Sequence, residues 1–329
     1  MPNNNEIIFW SGGKINKIDI TSLAITNIPF TVDVKIDIAE TVHFNTPLEK
    51  DVFTPKMIRH AVTSPNGKTL LFQALGHIWQ KDLPNGVPTR LTSSTDFEFE
   101  PQFSPNGNNI VFVTWSDLEK GGIFQIPSTG GTAQKLTLTK GIYRTPSYSP
   151  DGNTIVFRKE VGNTDQGFTY TKEPGIYTMD ASGGVEKKLT DKGEYPMFSK
   201  DGKRIFLQTG GTYFGENTKN LISVNLEGND EKTHLTSKYA NRLMPSPDNK
   251  WIAFSNLHKV FLAPLVLNGQ TIDLDNNSKS VPVSQIAKDA GINLHWSPES
   301  QKIMWTLGDE YFRNEVKNRF TFLAGSPET

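Results

Sequence analysis

The residue types that could do chemistry are sparse and scattered in this sequence. Six histidines are present (His43, His60, His77, His234, His258 and His295), and no two lie within two residues of each other. The His-x-His pair that metal-dependent hydrolases use to hold an ion and activate its water is therefore missing. Cysteine is absent, which removes thiol nucleophiles, zinc–thiolate centres and iron–sulfur ligation but leaves the redox compartment open. No Gly-x-Ser-x-Gly elbow, glycine-rich phosphate loop or calcium-loop spacing occurs. Catalysis by this chain alone is not expected, and neither a cofactor nor a metal is called for.

The residues that remain as candidates share one position. A short motif, an aromatic residue followed by Ser-Pro, returns along the chain, with looser copies among the strict ones. Four or five residues before each of its serines stand Arg59 and His60, Glu100, Arg144, Glu194 and Tyr195, Asn241 and Arg242, and Asn293. Read in order, the charges alternate and end on a neutral asparagine. Two accounts stay open. Neighbouring units could pair these charges for stability, each exposed pair contributing about 0.2–1 kcal/mol. Or they could line a polar mouth that takes a peptide or a small charged ligand through arginine forks and carboxylates. His60 and His295 read as buried histidines bonded to backbone carbonyls rather than metal ligands. Only His60, Glu100 and Glu194 could begin an axial metal site, the alternative reading of a hydrolase or lyase. Asp165, Glu173 and Glu216 read as solvated.

These positions owe their equivalence to a repeat, and a fixed period is the sequence signature of arrayed folds. Phe103-Ser104-Pro105-Asn106-Gly107-Asn108-Asn109-Ile110-Val111-Phe112 returns as Tyr148-Ser149-Pro150-Asp151-Gly152-Asn153-Thr154-Ile155-Val156-Phe157, with looser copies at Ser64, Ser199, Ser246 and Ser297. The intervals between these serines are 40, 45, 50, 47 and 51 residues, the length of one four-stranded propeller blade. Each unit reads as a strand, an Asn-Gly or Asp-Gly turn, an alternating β-branched strand, a third strand and a Gly-rich turn. A fourth strand follows, marked by Leu91, Leu136, Leu189 or Leu235. The Asp-Gly pairs resemble fragments of calcium loops, but turn geometry accounts for them. The tryptophans Trp10, Trp115, Trp251, Trp296 and Trp305 are read as core, and Trp79 as partly exposed.

The expected fold is an all-β propeller of six or seven four-stranded blades within one domain. Residues 1–30 form a partial blade, 31–56 an insertion, 57–306 six full repeats and 307–329 a closing segment. The first repeat lacks its innermost strand, since Pro2 aligns with Pro105 and Ile7–Phe9 with Ile110–Phe112. Both termini would close it, a segment such as Arg319 to Leu323 filling the gap. Val32–Ile38 alternates like an edge strand, Ser284–Ala290 carries helix start and stop signals, and Asp309–Lys317 is open between helix and irregular structure.

The repeat resembles the TolB-type, WD-like propeller repeat of bacteria over nearly the whole chain. A narrower likeness lies in Ile7–Ile15, Met57–Ala61, Gly291–Ser297 and Trp305–Phe312. These stretches are similar to the propeller region preceding the catalytic domain of large bacterial amidohydrolase-superfamily proteins. That resemblance implies a non-catalytic accessory propeller binding or presenting a protein, peptide or small ligand, or partnered by a covalently linked hydrolase domain. It also implies export of a full-length form, although Met1–Asn5 carries no signal-peptide pattern. Charge excludes other classes. The 34 Lys and Arg against 35 Asp and Glu give a net charge of −1, without the basic face that nucleic acid requires. The most apolar stretch, Val260–Leu267, is far short of the roughly 20 residues that span a bilayer, so no membrane insertion is expected.

Overall fold

The computed structural model describes residues 5–40, 52–211 and 217–320. The chain, read above as a single domain, divides into two compact units, Met1–Thr54 with Val161–Lys172, and Pro55–Glu160 with Glu173–Thr329. In the first unit, Glu6–Ser11, Lys14–Asp19 and Ile25–Ile28 form an antiparallel sheet in chain order. Its first hairpin turns on Gly12 and Gly13, both at positive φ, as a two-residue loop between twisted strands requires. These are the expected second to fourth strands of the partial blade, and no innermost strand joins them among the described residues. Three short strands bury little, and Trp10, expected in a core, is 57% exposed. Val32–Ile38 forms no strand; alternation alone does not make one without a neighbouring edge to pair with. Residues 321–323 of the expected closing segment lie outside the described residues.

The second unit is a succession of antiparallel sheets, one per repeat. Sheet one is Arg59–Thr63, Thr69–Ala74, His77–Asp82 and Thr89–Arg90; sheet two is Phe97–Phe103, Asn109–Ser116, Lys120–Pro127 and Gln134–Lys135. Sheet three is Ile142–Tyr148, Thr154–Glu160, Gly175–Asp180 and Lys187–Thr190. Sheet four is Glu194–Phe198, Arg204–Thr209, Thr218–Asn225 and Lys232–Lys238, extended by Ile272–Asp273, which pairs parallel to its outer edge from within the fifth repeat. Sheet five is Ala240–Pro245, Trp251–Asn256, Lys259–Pro264 and Ser284–Ala290, and sheet six is Ile292–Trp296, Lys302–Leu307 and Glu310–Glu315.

Two segments differ from the sequence reading. Ser284–Ala290 is the outer strand of sheet five, not a helix: the open edge of Lys259–Pro264 supplies backbone partners, and Ile286 and Ala287 bury beside Val260 and Leu262. Local cap signals yield to that pairing. Glu310–Glu315 is likewise a strand, followed by a single 3-10 turn at Val316–Asn318. Phe320 then stacks on Trp251, with ring centroids 5.3 Å apart.

The core lies between successive sheets. Val62, Leu71, Ile78 and Leu91 of the first repeat pack with Ile110, Phe112 and Ile126 of the second. Val111, Val113 and Leu136 pack in turn with Tyr143, Ile155 and Phe157 of the third. The fourth-strand leucines at 91, 136, 189 and 235 are all buried, each such burial contributing roughly 1.5–3 kcal/mol. The recurring serine has a structural reason. Ser149 Oγ donates to Asp151 Oδ1 at 2.5 Å and accepts from the Thr154 amide at 2.9 Å, closing the first hairpin. The same pair of bonds recurs at Ser64, Ser104, Ser199 and Ser246.

Candidate functional site

The other end of each first strand carries a second repeated device. Between first and second strands the register slips once in each of the six sheets of the second unit, at Arg59/Val62, Phe99/Gln102, Arg144/Ser147, Glu194/Met197, Ala240/Arg242 and Ile292/His295. In five of the six the bulge holds a non-glycine residue in the left-handed region: His60 at φ 50°, Glu100 at 52°, Thr145 at 49°, Tyr195 at 51° and Asn293 at 54°. A left-handed non-glycine residue is costly, and its recurrence at one position shows that the surrounding sheet enforces it. The candidate residues before each serine therefore stand on equivalent bulges. They are also brought within electrostatic range: Glu100, Arg144 and Arg59 all act on His60, and Tyr195, Glu194 and Glu100 on Arg242.

Part of the cluster is fully paired. Arg144 donates to Glu100 Oε1 through Nε at 2.9 Å and a terminal nitrogen at 2.7 Å, and the Thr145 amide donates to Glu100 Oε2. Burial alone would lower the Arg144 pKa, but Glu100, Glu160 and Tyr195 outweigh it and raise it. Arg158 lies 3.2 Å from Glu160 and 3.6 Å from Glu194. Glu100 thus pairs with Arg144 of the next repeat, and Glu194 with Arg158, which stands outside the alternating set.

The fifth, sixth and first sheets behave differently. Arg242 stacks on the Tyr195 ring, 3.9 Å from guanidinium carbon to ring centroid, and donates to the Leu243 carbonyl at 3.1 Å. Desolvation pulls its pKa down to about 10 against the smaller opposing pull of Tyr195, Glu194 and Glu100. Arg59 is exposed. Asn293 uses its side chain entirely on protein groups: Oδ1 accepts from the His60 amide at 2.9 Å, and Nδ2 donates to Thr306 Oγ1 at 2.6 Å and the Ile58 carbonyl at 3.3 Å.

His295 is buried in the sixth sheet and bonded to a backbone carbonyl. Since the Asn293 carbonyl can only accept, Nδ1 carries the proton of their 3.0 Å bond, and Nε2 accepts from Thr63 Oγ1 at 3.0 Å. Tyr311 then donates to the same hydroxyl at 2.8 Å. Burial holds the His295 pKa down at about 4, so the ring is neutral at pH 7. His60 is likewise lowered by burial, with Glu100 opposing and Arg144 and Arg59 reinforcing the shift. Among the described residues, no group of three or more His, Asp or Glu side chains is placed to hold a metal ion. Asp165 and Glu173 are exposed, and Glu216 lies outside the described residues.

The sequence reading missed the second-strand partners of these bulges. Gln73, Arg158, Gln208, Ser255 and Thr306 pair with Arg59, Arg144, Glu194, Arg242 and Ile292. Gln208 binds the Leu243 amide at 2.8 Å and the Asn241 carbonyl at 3.2 Å, tying sheet four to sheet five. A signal was present: each lies nine residues after the recurring serine, a polar residue directly following an apolar run of three.

Residues 63–271 match the family model of the TolB beta propeller domain, more than half of the chain. A curated uncharacterized protein of Agrobacterium fabrum is 26% identical over 264 residues, 77% of this chain and 85% of that protein. Among solved structures, a putative TolB from Agrobacterium tumefaciens superposes with a TM-score of 0.56 at 22% identity, covering 75% of this chain and 88% of its own. TolB from Acinetobacter baumannii gives 0.53 at 17% identity, with 91% and 73% covered. At these identities the structural likenesses carry the propeller-like fold and nothing more. The narrower likeness to amidohydrolase-associated propellers rests on its sequence segments alone.

Proposed function

Because the chain belongs to the TolB β-propeller domain family, we propose that it is a non-catalytic binding propeller, whose bulged first strands form the mouth that takes a protein, peptide or small ligand. We infer with it that the six sheets of the second unit close into a six-bladed ring, the sixth packed on the first. The His60–Asn293 and Thr63–His295 bonds, which join residues more than 230 positions apart, support that closure. In this reading the accessory role beside a hydrolase domain belongs to the full-length protein, and the sequence segments named above are what support it.

The observation that carries the binding reading is the recurrence of the left-handed bulge. A rigid scaffold that holds one strained, polar position in register around several sheets presents a preorganised set of side chains. The competing reading, an enzyme at the axis, needs a metal held by His60, Glu100 and Glu194, and Glu100 and Glu194 already pair with arginines. Metal analysis of the dialysed protein separates the two. The binding propeller should retain no stoichiometric metal. Retention of one equivalent, lost in a Glu100→Gln/Glu194→Gln double variant, would establish the axial enzyme instead.

A further inference from the structure

We infer that the mouth recognises a peptide carboxylate, seated on the free edge of Arg242. This inference rests on the binding reading above and names the chemistry of its ligand.

The alternation of charge around the mouth breaks at one place. Arg144 and Arg158 are matched to Glu100, Glu160 and Glu194, but the sixth repeat carries Asn293 where the alternation calls for an acid. Asn293 is occupied by the His60 amide, Thr306 and Ile58 and offers nothing to the arginines of the repeats on either side of it. Arg242 and Arg59 consequently form no ion pair with any carboxylate among the described residues. Of the five N–H donors of Arg242, one is bonded to the Leu243 carbonyl. The Tyr195 ring beneath fixes the plane of the guanidinium without capping its edge. A half-buried guanidinium without an acid has lost hydration that one carbonyl and a ring face replace only in part, and a planar carboxylate restores it with two parallel N–H···O bonds.

The surroundings select the charge and the body of the ligand. Glu194 and Glu100 are close enough to act on Arg242, so they limit the negative charge the site holds, and the planar carboxylate matches the two parallel N–H donors of the guanidinium edge. Ile292 and Met57, beside Asn293 and Arg59, are 40% and 47% exposed. They leave exposed apolar side chains on the sixth and first repeats for the carbon chain of a peptide to cover.

The test is selection of a displayed random heptapeptide library on the full chain, in two formats, one embedded and one with a free C-terminus. Isolated peptides are then measured by calorimetry. Aspartate or glutamate should dominate one position if a side-chain carboxylate binds, and a bare C-terminus should be required if the terminal one does. Arg242→Gln should weaken the selected peptides at least tenfold, with Arg242→Lys between it and wild type, and amidation or Glu→Gln exchange in the peptide should match the Arg242→Gln loss. Peptides that bind without any such group, or indifferently to Arg242→Gln in a variant that melts like wild type, would overturn the carboxylate and leave the binding mouth standing. Failure of both formats to enrich any peptide would overturn the peptide ligand and leave the mouth to a folded protein or a small molecule.

Discussion

Among individual residues, His295 shows how burial decides chemistry. The ring, read from the sequence as a buried histidine on a backbone carbonyl, is committed to Asn293 on one nitrogen and Thr63 on the other, in the tautomer its backbone partner dictates. Its pKa is lowered from 6.5 to about 4, so between those values the unfolded chain binds the proton that the folded one refuses. Stability from this group is complete above about pH 6.5 and falls as pH drops toward 4, by roughly 3 kcal/mol in all. His60 and His234 are lowered by the same cause, so His295→Gln should reduce the acid slope of the unfolding free energy without abolishing it. A slope identical to wild type in urea titrations from pH 7 to 4 would rule out the neutral, buried His295. Glu100 is the complementary case. Its alternation with Arg144 was legible in the spacing, whereas its second bond, to the Thr145 amide, depends on a backbone bulge that no side-chain pattern announces. Glu100→Gln keeps an acceptor for that amide but removes the charge facing Arg144, with an expected cost of about 1–3 kcal/mol in chemical denaturation.

Among the elements, the repeated hairpin was fully readable because its cause is local. The serine, the Asn or Asp two residues on and the amide five residues on lie in one loop, so their geometry needs no distant partner. Ser149→Ala should therefore destabilise by about 1–2 kcal/mol, from the Thr154 amide and Asp151 losing a partly buried partner. A cost of zero would mean the hydroxyl only marks the turn. Where the cause was distant, the sequence misled. Ser284–Ala290 carries caps suited to a helix, yet an unpaired edge at Lys259–Pro264 and a buried Ile286 draw it into sheet five. Val32–Ile38 has the alternation of a strand and no edge to join.

In the succession of sheets taken together, Asn293 bonds the last sheet to the first. Its left-handed backbone and its side-chain bonds to His60, Thr306 and Ile58 combine two requirements that asparagine meets and alanine does not. Asn293→Ala should lower the melting temperature and raise amide hydrogen exchange first in sheets one and six. Asn293→Asp, which keeps the acceptor for His60, should retain most of the protection. Uniform loosening of all six sheets in Asn293→Ala would argue against a seam at this residue. The period, the strand content, the turn chemistry and the set of polar positions at the strand ends could all be read from the chain, since each arises from residues adjacent in it or repeated at fixed spacing. Which of those charges meet could not. Partners such as Glu100 with Arg144 and Asn293 with His60 lie one repeat or nearly a whole chain apart. The packing of sheets and the bulge that re-aims each strand bring them within bonding distance, or leave Arg242 and Arg59 without an acid.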